Sequence, residues 1–355
     1  MNRNILVEEN KTNPSRAPEK GGRLIDRARN AFWMAPMSGI TDVCFRQLMD
    51  EMGAGVLVSE LVSAKGLVYN SEKTRKMLLI HDNPGTLVGL QLFGEEADDF
   101  VKVAHLVEER GADFLDINLG CPVKKVVQKG CGSALMRDPA RLEVFLTRIR
   151  KNISLPLTVK MRTGWSAEEL TIHECVAAAQ NAGCEWVAIH GRTRVQGYDG
   201  RADWDLIAEV KQRTTLPIIG NGDLRDADRA RTLLNETGVD AVMIGRGALR
   251  NPWIFKQCTG ELGDTLDPSR LALLRRFYEL LRAIHDTRRT LLYLRKLAVW
   301  LAYGYPGASA FRGAMFRTTT VKEVLEQAEE YFSGMEALPL PRFDEAEAFM
   351  MGGHG

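Results

Sequence analysis

From Phe32 onward, eight short apolar runs recur at intervals of roughly 25 to 40 residues, each followed by a stretch of helical spacing rich in Ala, Glu, Arg and Leu. The runs centre on Phe32-Trp33-Met34-Ala35, Val56-Leu57-Val58, Leu87-Val88-Gly89-Leu90, Phe114-Leu115-Asp116-Ile117, Leu157-Thr158-Val159, Val187-Ala188-Ile189, Pro217-Ile218-Ile219 and Ala241-Val242-Met243-Ile244. Glu96 to Arg110, Pro139 to Lys151, Ala167 to Ala182 and Asp226 to Thr237 read as helices between them. Eight strand–helix units over about 220 residues predict an α/β chain folded as a TIM (β/α)8 barrel. A doubly wound open sheet would need a Gly-x-Gly-x-x-Gly turn after its first strand. Here that strand runs into Pro36-Met37-Ser38-Gly39.

After about Thr265 the strand signal stops, and Leu271 to Trp300 and Val321 to Phe332 read as helices on either side of Gly304-Tyr305-Pro306-Gly307. The expected division is a flexible N-terminal extension over 1–30, a barrel over 31–262, a smaller C-terminal helical domain over 263–338 and a flexible tail over 339–355. At 45% hydrophobic and 26% charged residues the chain can bury a sizeable core. The net charge of +1 excludes a uniformly basic nucleic-acid binder, so local charge has to be read separately.

Met1 to Asn30 lacks the apolar core of a secretory signal, and no later stretch reaches about 18 uninterrupted apolar residues, so no membrane span is expected. The six cysteines form no Cys-x-x-Cys pair, which disfavours a zinc ribbon, an iron–sulfur cluster or a disulfide scaffold. Reduced thiols in a cytoplasm are the simpler reading. His173-Glu174 lacks the second histidine of a zinc-protease helix, and no metal site is expected.

In a TIM barrel the chemistry sits where the strands end at their C-termini, because the βα loops converge there over a packed interior. This chain places polar or special residues at nearly every such end: Pro36-Met37-Ser38, Ser59-Glu60, Gln91, Asn118-Leu119-Gly120-Cys121-Pro122, Lys160-Met161-Arg162, His190-Gly191-Arg192, Asn221-Gly222-Asp223 and Gly245-Arg246-Gly247. The last two clusters follow strands 7 and 8, where barrels commonly hold a phosphate on backbone N–H groups. Glycine lets the backbone approach the anion and Arg246 adds a fixed charge, so a phosphorylated ligand is expected.

Lys160 would lie over the barrel mouth, where a cation needs an anionic partner such as a reduced flavin ring or a phosphate. Cys121 stands in a loop of about 17 residues, Leu119 to Leu135, far longer than most βα connections and therefore a candidate lid. Cys131 shares that loop as a second candidate further from the strand end. His190, at the end of strand 6, is placed to meet a ligand.

These motifs, in this order, resemble the tRNA-dihydrouridine synthases of the bacterial type. The resemblance is dense from Ala31 to Phe255, through Ala35-Pro36-Met37-Ser38-Gly39-Ile40-Thr41-Asp42, Asn118-Leu119-Gly120-Cys121-Pro122-Val123-Lys124-Lys125-Val126, Val159-Lys160-Met161-Arg162, Ile189-His190-Gly191-Arg192-Thr193, Gly220-Asn221-Gly222-Asp223 and Gly245-Arg246-Gly247-Ala248, and weaker at Leu294-Arg295-Lys296. It implies an FMN-dependent barrel that reduces the C5–C6 double bond of particular uridines in tRNA, with NADPH or NADH as the electron source. By matching motif, Pro36, Met37 and Ser38 would cradle the flavin ring, and Gln91, Lys160 and His190 would meet its polar edge or chain. Asn221, Gly222, Asp223, Gly245 and Arg246 would hold the ribityl phosphate. Cys121 matches the catalytic acid: hydride delivery to uracil C6 leaves carbanion character at C5, which a nearby thiol can protonate. Ser38 departs from the family, whose members often carry Ala there.

The RNA side also rests on charge. Between Arg270 and Arg317 ten basic residues face only Glu279 and Asp286, with aromatic residues interleaved. Arg288, Arg289, Arg295 and Lys296 are the candidate tRNA contacts, with Asn118, Arg162 and Arg192 at the barrel mouth. Two rival functions are an FMN barrel acting on a free pyrimidine or another small enone, as in dihydroorotate dehydrogenases, and a non-catalytic RNA-binding protein on a decayed barrel. The basic helical region argues against the first rival, and the intact Cys121 and phosphate clusters against the second.

Overall fold

The computed structural model describes residues 22–82, 84–262 and 269–335, together with 338 and 341. Eight strands carry the fold: β1 (Phe32–Met34), β2 (Val56–Val58), β3 (Leu87–Phe93), β4 (Phe114–Leu119), β5 (Leu157–Arg162), β6 (Val187–His190), β7 (Ile218–Asn221) and β8 (Ala241–Ile244). All pair in parallel in the order β1-β8-β7-β6-β5-β4-β3-β2, and a two-residue strand, Val62–Ser63, pairs with the end of β3. The backbone N–H of Gly55 donates to the Phe32 carbonyl at 2.7 Å and brings the start of β2 against β1, so the sheet curls into a nearly closed barrel. The expected barrel is present.

Two apolar cores follow from the two-residue period of the strands. One set of side chains points inward. At the floor of the barrel Trp33, Phe114 and Trp186 meet, with ring centroids 4.9 Å (Trp33–Trp186) and 4.8 Å (Phe114–Trp186) apart. Gly89 faces this layer, and a Cβ there would lie 2.0 Å from the Phe114 ring, so only glycine leaves room for it. Higher up, the inward positions become polar: Gln91, Asp116, Thr158 and Lys160. The other set, including Leu90, Leu115, Ile117, Val159 and Ile189, packs outward against the helices.

Those helices are α1 (Val43–Glu51), α2 (Ala97–Glu109), α3 (Pro139–Arg150), α4 (Ile172–Asn181), α5 (Trp204–Gln212) and α6 (Ala227–Thr237). Asp42, Asp138, Asp203 and Asp226 each accept a backbone N–H in the first turn of α1, α3, α5 and α6, at 2.8–3.0 Å. Each such cap stabilises its helix by about 1 kcal/mol. Helix α4 is shorter than the expected Ala167 to Ala182. Residues 164–170 instead turn back, with the Trp165 N–H on the Glu169 carbonyl at 2.9 Å, and the guanidinium groups of Arg137 and Arg194 lie over the Trp165 ring at 4.6 and 4.7 Å.

The C-terminal part is helical, as expected, but its elements differ from the sequence reading. Leu271 to Trp300 is two helices, α7 (Arg270–Ile284) and α8 (Thr287–Ala302), because Asp286 caps a new helix through the Arg289 N–H at 2.9 Å. An unexpected helix, α9 (Ala308–Arg317), precedes α10 (Val321–Ser333). The helices dock on α1: Phe277 packs edge-on against Phe45 at 6.1 Å, Arg276 pairs with Glu51, and His285 bonds Asp42 at 2.6 Å.

Residues 22–30, assigned above to a flexible extension, are seated on the barrel. Leu24 in a 3-10 turn joins the floor cluster, Arg29 pairs with Asp50 at 2.8 Å, and the Trp33 indole donates to the Asn30 carbonyl at 2.8 Å. The apolar floor needs a cover, and Leu24 supplies it. Residues 1–21 and nearly all of 339–355 lie outside the described residues. Among the described residues no helix is long and apolar enough to cross a membrane.

Candidate active site

The strand ends open into a cleft of about 650 Å³, its open mouth included. Its walls are contributed by five of the expected clusters: Pro36 and Met37 after β1, Lys160 on β5, His190 on β6, Asn221, Gly222 and Asp223 at the end of β7, and Gly245 and Arg246 after β8. Ser38 is exposed and lies outside the lining, and Gln91, 1% exposed, lies beneath it.

Cations dominate this cleft. Lys160 Nζ donates to Asn221 Oδ1 at 2.9 Å, and Asn221 donates its own amide to the Met243 carbonyl at 2.6 Å. Among the described residues Lys160 makes no ion pair. Burial, with neighbouring Arg162, pulls its pKa down to about 8, and Asp116 opposes the fall. His190 is pushed well below its ordinary value by burial and by Arg162, Lys160, Arg192 and Arg246, so it is a neutral ring at physiological pH. Arg246 lies over the Tyr198 ring at 4.5 Å, with Asp223 at 3.8 Å.

Arg192 and Arg162, expected to meet RNA, do other work. Each is 2% exposed. Arg192 grips both oxygens of Asp223 at 2.8 Å and donates to the carbonyls of Asp199 and Gly200. Asp223 is therefore charge-paired by Arg192 and also accepts the Ala202 N–H at 2.8 Å. Arg162 donates to the carbonyls of Gly120, Thr193 and Gly197 at 2.9, 2.9 and 2.7 Å. Both guanidinium groups tie loops together, a role that is invisible in sequence because all of the acceptors of Arg162 and two of those of Arg192 are backbone atoms.

Arg162 leads to the Cys121 turn, since it holds the carbonyl of the preceding Gly120. The turn is clamped on both sides of the thiol: Asn118 Oδ1 accepts the Cys121 N–H at 2.9 Å, and the Ser133 hydroxyl donates to the Cys121 carbonyl at 3.0 Å. Gly132, at φ 60°, permits this approach, since a Cβ there would stand 3.0 Å from the Cys121 carbonyl oxygen. The expected 17-residue lid is a structured strap containing a short helix, Lys124–Val127, and a 3-10 turn, Gly132–Arg137. Burial raises the half-buried Cys121 thiol above its ordinary value, against the pull of the Val123 N–H and Arg162. Cys131 is buried and bonded to Glu95 at 2.9 Å, and burial and that carboxylate push it up to about 12.

The family model described as Dihydrouridine synthase (Dus) matches residues 33–336. The chain belongs to that family. It is accordingly an oxidoreductase that turns uridine into dihydrouridine. It is 38% identical over 310 residues to tRNA-dihydrouridine synthase B of Escherichia coli (strain K12), covering 86% of this chain and 96% of that one. It is 35% identical over 311 residues to the protein of the same name from Pasteurella multocida (strain Pm70), covering 86% of this chain and 93% of the relative. In fold it is similar to histamine dehydrogenase from Rhizobium sp. 4-9, with a TM-score of 0.54 at 13% identity over 71% of this chain. This chain spans about half (49%) of that longer one, and the likeness extends to the barrel architecture alone.

Elsewhere on this dihydrouridine synthase the basic candidates divide. Arg288 and Arg289 are exposed at the start of α8. Arg295 turns inward and donates to the hydroxyl of Thr318 at 2.9 Å and to its carbonyl, and Lys296 lies half-buried near the Tyr293 ring at 5.9 Å. The ten-to-two excess also shrinks in three dimensions, because Arg275 pairs with Glu329 and Arg276 with Glu51, both outside the counted window. Sequence reasoning missed Asp116, Thr158 and Tyr198. For the first two a signal existed: they stand two positions before Asn118 and Lys160 on the same inward faces. Tyr198, in an irregular loop, carried none.

Proposed function

We propose that this enzyme reduces the C5–C6 double bond of particular uridines in tRNA, with FMN as the resident cofactor and NADPH or NADH as the electron source. The observation that carries the reading is the cleft itself, where Lys160 and Arg246 lie with one partly screened carboxylate beside a neutral His190. The donor set suits FMN. Burial and neighbouring Arg162 hold Lys160 down at about 8, and the polar edge of a flavin or its phosphate would offer it a compensating anion. FMN, when bound, supplies the hydride that goes to uracil C6.

The chain's own residues do the rest. Pro36 and Met37 would offer backbone contacts to the ring and Lys160 and His190 polar ones, with Ser38 outside the lining and Gln91 beneath it as flanking positions. Asn221, Gly222, Asp223, Gly245 and Arg246 would receive the phosphate, with Asp223 acting chiefly by holding Arg246 in place. The Cys121 thiol gives its proton to C5, and the thiolate regains one from solvent. Arg162, anchored on Gly120, and Asn118 position the turn that carries it. The barrel, 31–262, is the catalytic domain and 263–338 the tRNA-binding domain, with Arg288 and Arg289 toward phosphate and Lys296 at the margin. The work belongs to the cytoplasm, where tRNA and reduced nicotinamide meet. Membership in the dihydrouridine synthase family disfavours the free-pyrimidine alternative.

The test is incubation of unmodified tRNA with the protein, FMN and NADPH, followed by digestion and nucleoside mass spectrometry. Uridine heavier by two hydrogens, mapped to defined positions, is the expected result. Reduction of free uracil or uridine with no action on tRNA would overturn the reading.

A further inference from the structure

Below the cleft lies a buried carboxylate that the proposed chemistry does not use. Asp116 on β4 is 3% exposed and points into the barrel. Its Oδ1 accepts the Thr158 hydroxyl at 2.6 Å and its Oδ2 accepts Gln91 Nε2 at 2.7 Å. Gln91 Oε1 in turn accepts Asn118 Nδ2 at 2.9 Å, and Asn118 Oδ1 accepts the backbone N–H groups of Cys121 at 2.9 Å and Gly120 at 3.3 Å. One line of hydrogen bonds thus runs from the barrel interior to the turn that bears the thiol.

We propose that Asp116 is a positioning residue that sets the polarity of this line and so holds the Cys121 turn in place. The reason is chemical. Gln91 and Asn118 are carboxamides, and each can turn end for end, donating where it had accepted. An ionised carboxylate can only accept. Facing Asp116, Gln91 must present its amino end, so its oxygen faces Asn118. Asn118 must then give its amino end to Gln91 and its oxygen to Gly120 and Cys121. Were Asn118 reversed, its amino group would face two backbone N–H donors and the turn would be pushed off.

Burying a carboxylate without an ion pair is unfavourable, and Asp116 is raised to about 6 by burial even though Gln91, Thr158 and Lys160 favour its charged form. A neutral residue at this position would be cheaper, and holding the buried end of the line in the direction that the Gly120 and Cys121 N–H groups require is a task for a group that only accepts. The significance of the Cys121 turn rests on the reading of Cys121 as proton donor. The geometry of the line does not.

The test uses the full chain without flavin or RNA, so it does not depend on the proposed reaction. Iodoacetamide labelling of Cys121 is followed by mass spectrometry in wild type, Asp116→Asn and Thr158→Val; the other five cysteines are buried. Asp116→Asn puts a group that can donate as well as accept at the buried end of the line, leaving only the Gly120 and Cys121 N–H groups to orient it, and is expected to label Cys121 about tenfold faster. Thr158→Val removes a bond to the same carboxylate without touching the polarity and is expected to label at nearly the wild-type rate. In the FMN-loaded enzyme, Asp116→Asn should lower the saturating rate of flavin reoxidation by tRNA with little change in the tRNA concentration needed. Should Asp116→Asn not fold, Asp116→Ser, whose hydroxyl also both donates and accepts, takes its place. Wild-type labelling in the aspartate variants, or an equal rise in Thr158→Val, would overturn the proposal. A defect in labelling with normal reoxidation would instead sink the assignment of Cys121 as the acid and leave the positioning intact.

Discussion

Asn118 accepts the backbone N–H of Cys121 at 2.9 Å, so the side chain at the end of β4 holds the thiol-bearing turn that follows it. Because Ser133 holds the Cys121 carbonyl from the far end of the strap, the thiol stands on a fixed backbone. This rigidity shapes the expectations for Cys121.

Replacing Cys121 with Ala should leave flavin binding and its reduction by NAD(P)H intact, since neither needs the thiol. Reoxidation by tRNA should fall about 10²- to 10⁴-fold, the usual loss for a positioned general acid. Stopped-flow absorbance of the two half-reactions separates the steps. Cys131→Ala, whose thiol faces Glu95, should reoxidise at nearly the wild-type rate.

The Cys121 thiol should stay protonated at neutral pH, since burial raises it above the ordinary 9.0. Its alkylation rate in the free enzyme should therefore still be climbing as the pH passes that value. A plateau near neutrality would mark an activated thiolate and contradict its use as an acid.

Lys160 makes stability depend on pH in a defined sense. Its folded pKa of about 8 lies below the ordinary 10.5, so between these values the unfolded chain holds a proton that the folded chain has released. Stability from this group should accordingly rise with pH across that window. Urea unfolding of the flavin-free protein, compared with Lys160→Met, should show the rise in wild type alone. Bound FMN should diminish it by returning the pKa upward.

The basic face should divide under mutation. Arg288→Ala with Arg289→Ala should weaken tRNA binding and flatten the slope of log affinity against log salt by roughly one to two. Arg295→Ala should leave that slope alone and instead destabilise the fold by roughly 1–3 kcal/mol, since it strips the buried Thr318 of its donors. Filter binding at several salt concentrations and thermal melts distinguish the two.

The floor of the barrel offers a packing test. Gly89→Ala would set a methyl 2.0 Å from the Phe114 ring, and overpacking of this kind costs roughly 1–3 kcal/mol or more. Phe114→Leu in the same chain should recover part of the lost melting temperature.

What could be read from sequence was whatever depends on local periodicity. The strand centres Val56–Val58 and Ala241–Ile244 coincide with the observed elements because a run of β-branched and aliphatic residues between turns has few other ways to bury itself. The places where strands end were equally legible, so Lys160, His190, Asn221 and Arg246 were found to line one cleft from regions far apart in the chain.

Helix ends and charge were read less well, for one physical reason: both depend on partners that a window of sequence does not contain. Asp286 breaks the long helical stretch by capping a second helix, and Glu51 and Glu329 cancel arginines counted as free.

By itself, then, the sequence determined the barrel and its polar mouth, because alternation and spacing are properties of neighbours along the chain. Tertiary structure alone decided which polar groups face the cleft and which are held by the protein. Arg162, Arg192 and Arg295 donate to backbone oxygens that any residue could have carried, and Gln91 on β3 bonds both Asp116 and Asn118 on the adjoining β4. Hydrogen bonds to backbone atoms and across strands leave no mark in residue order.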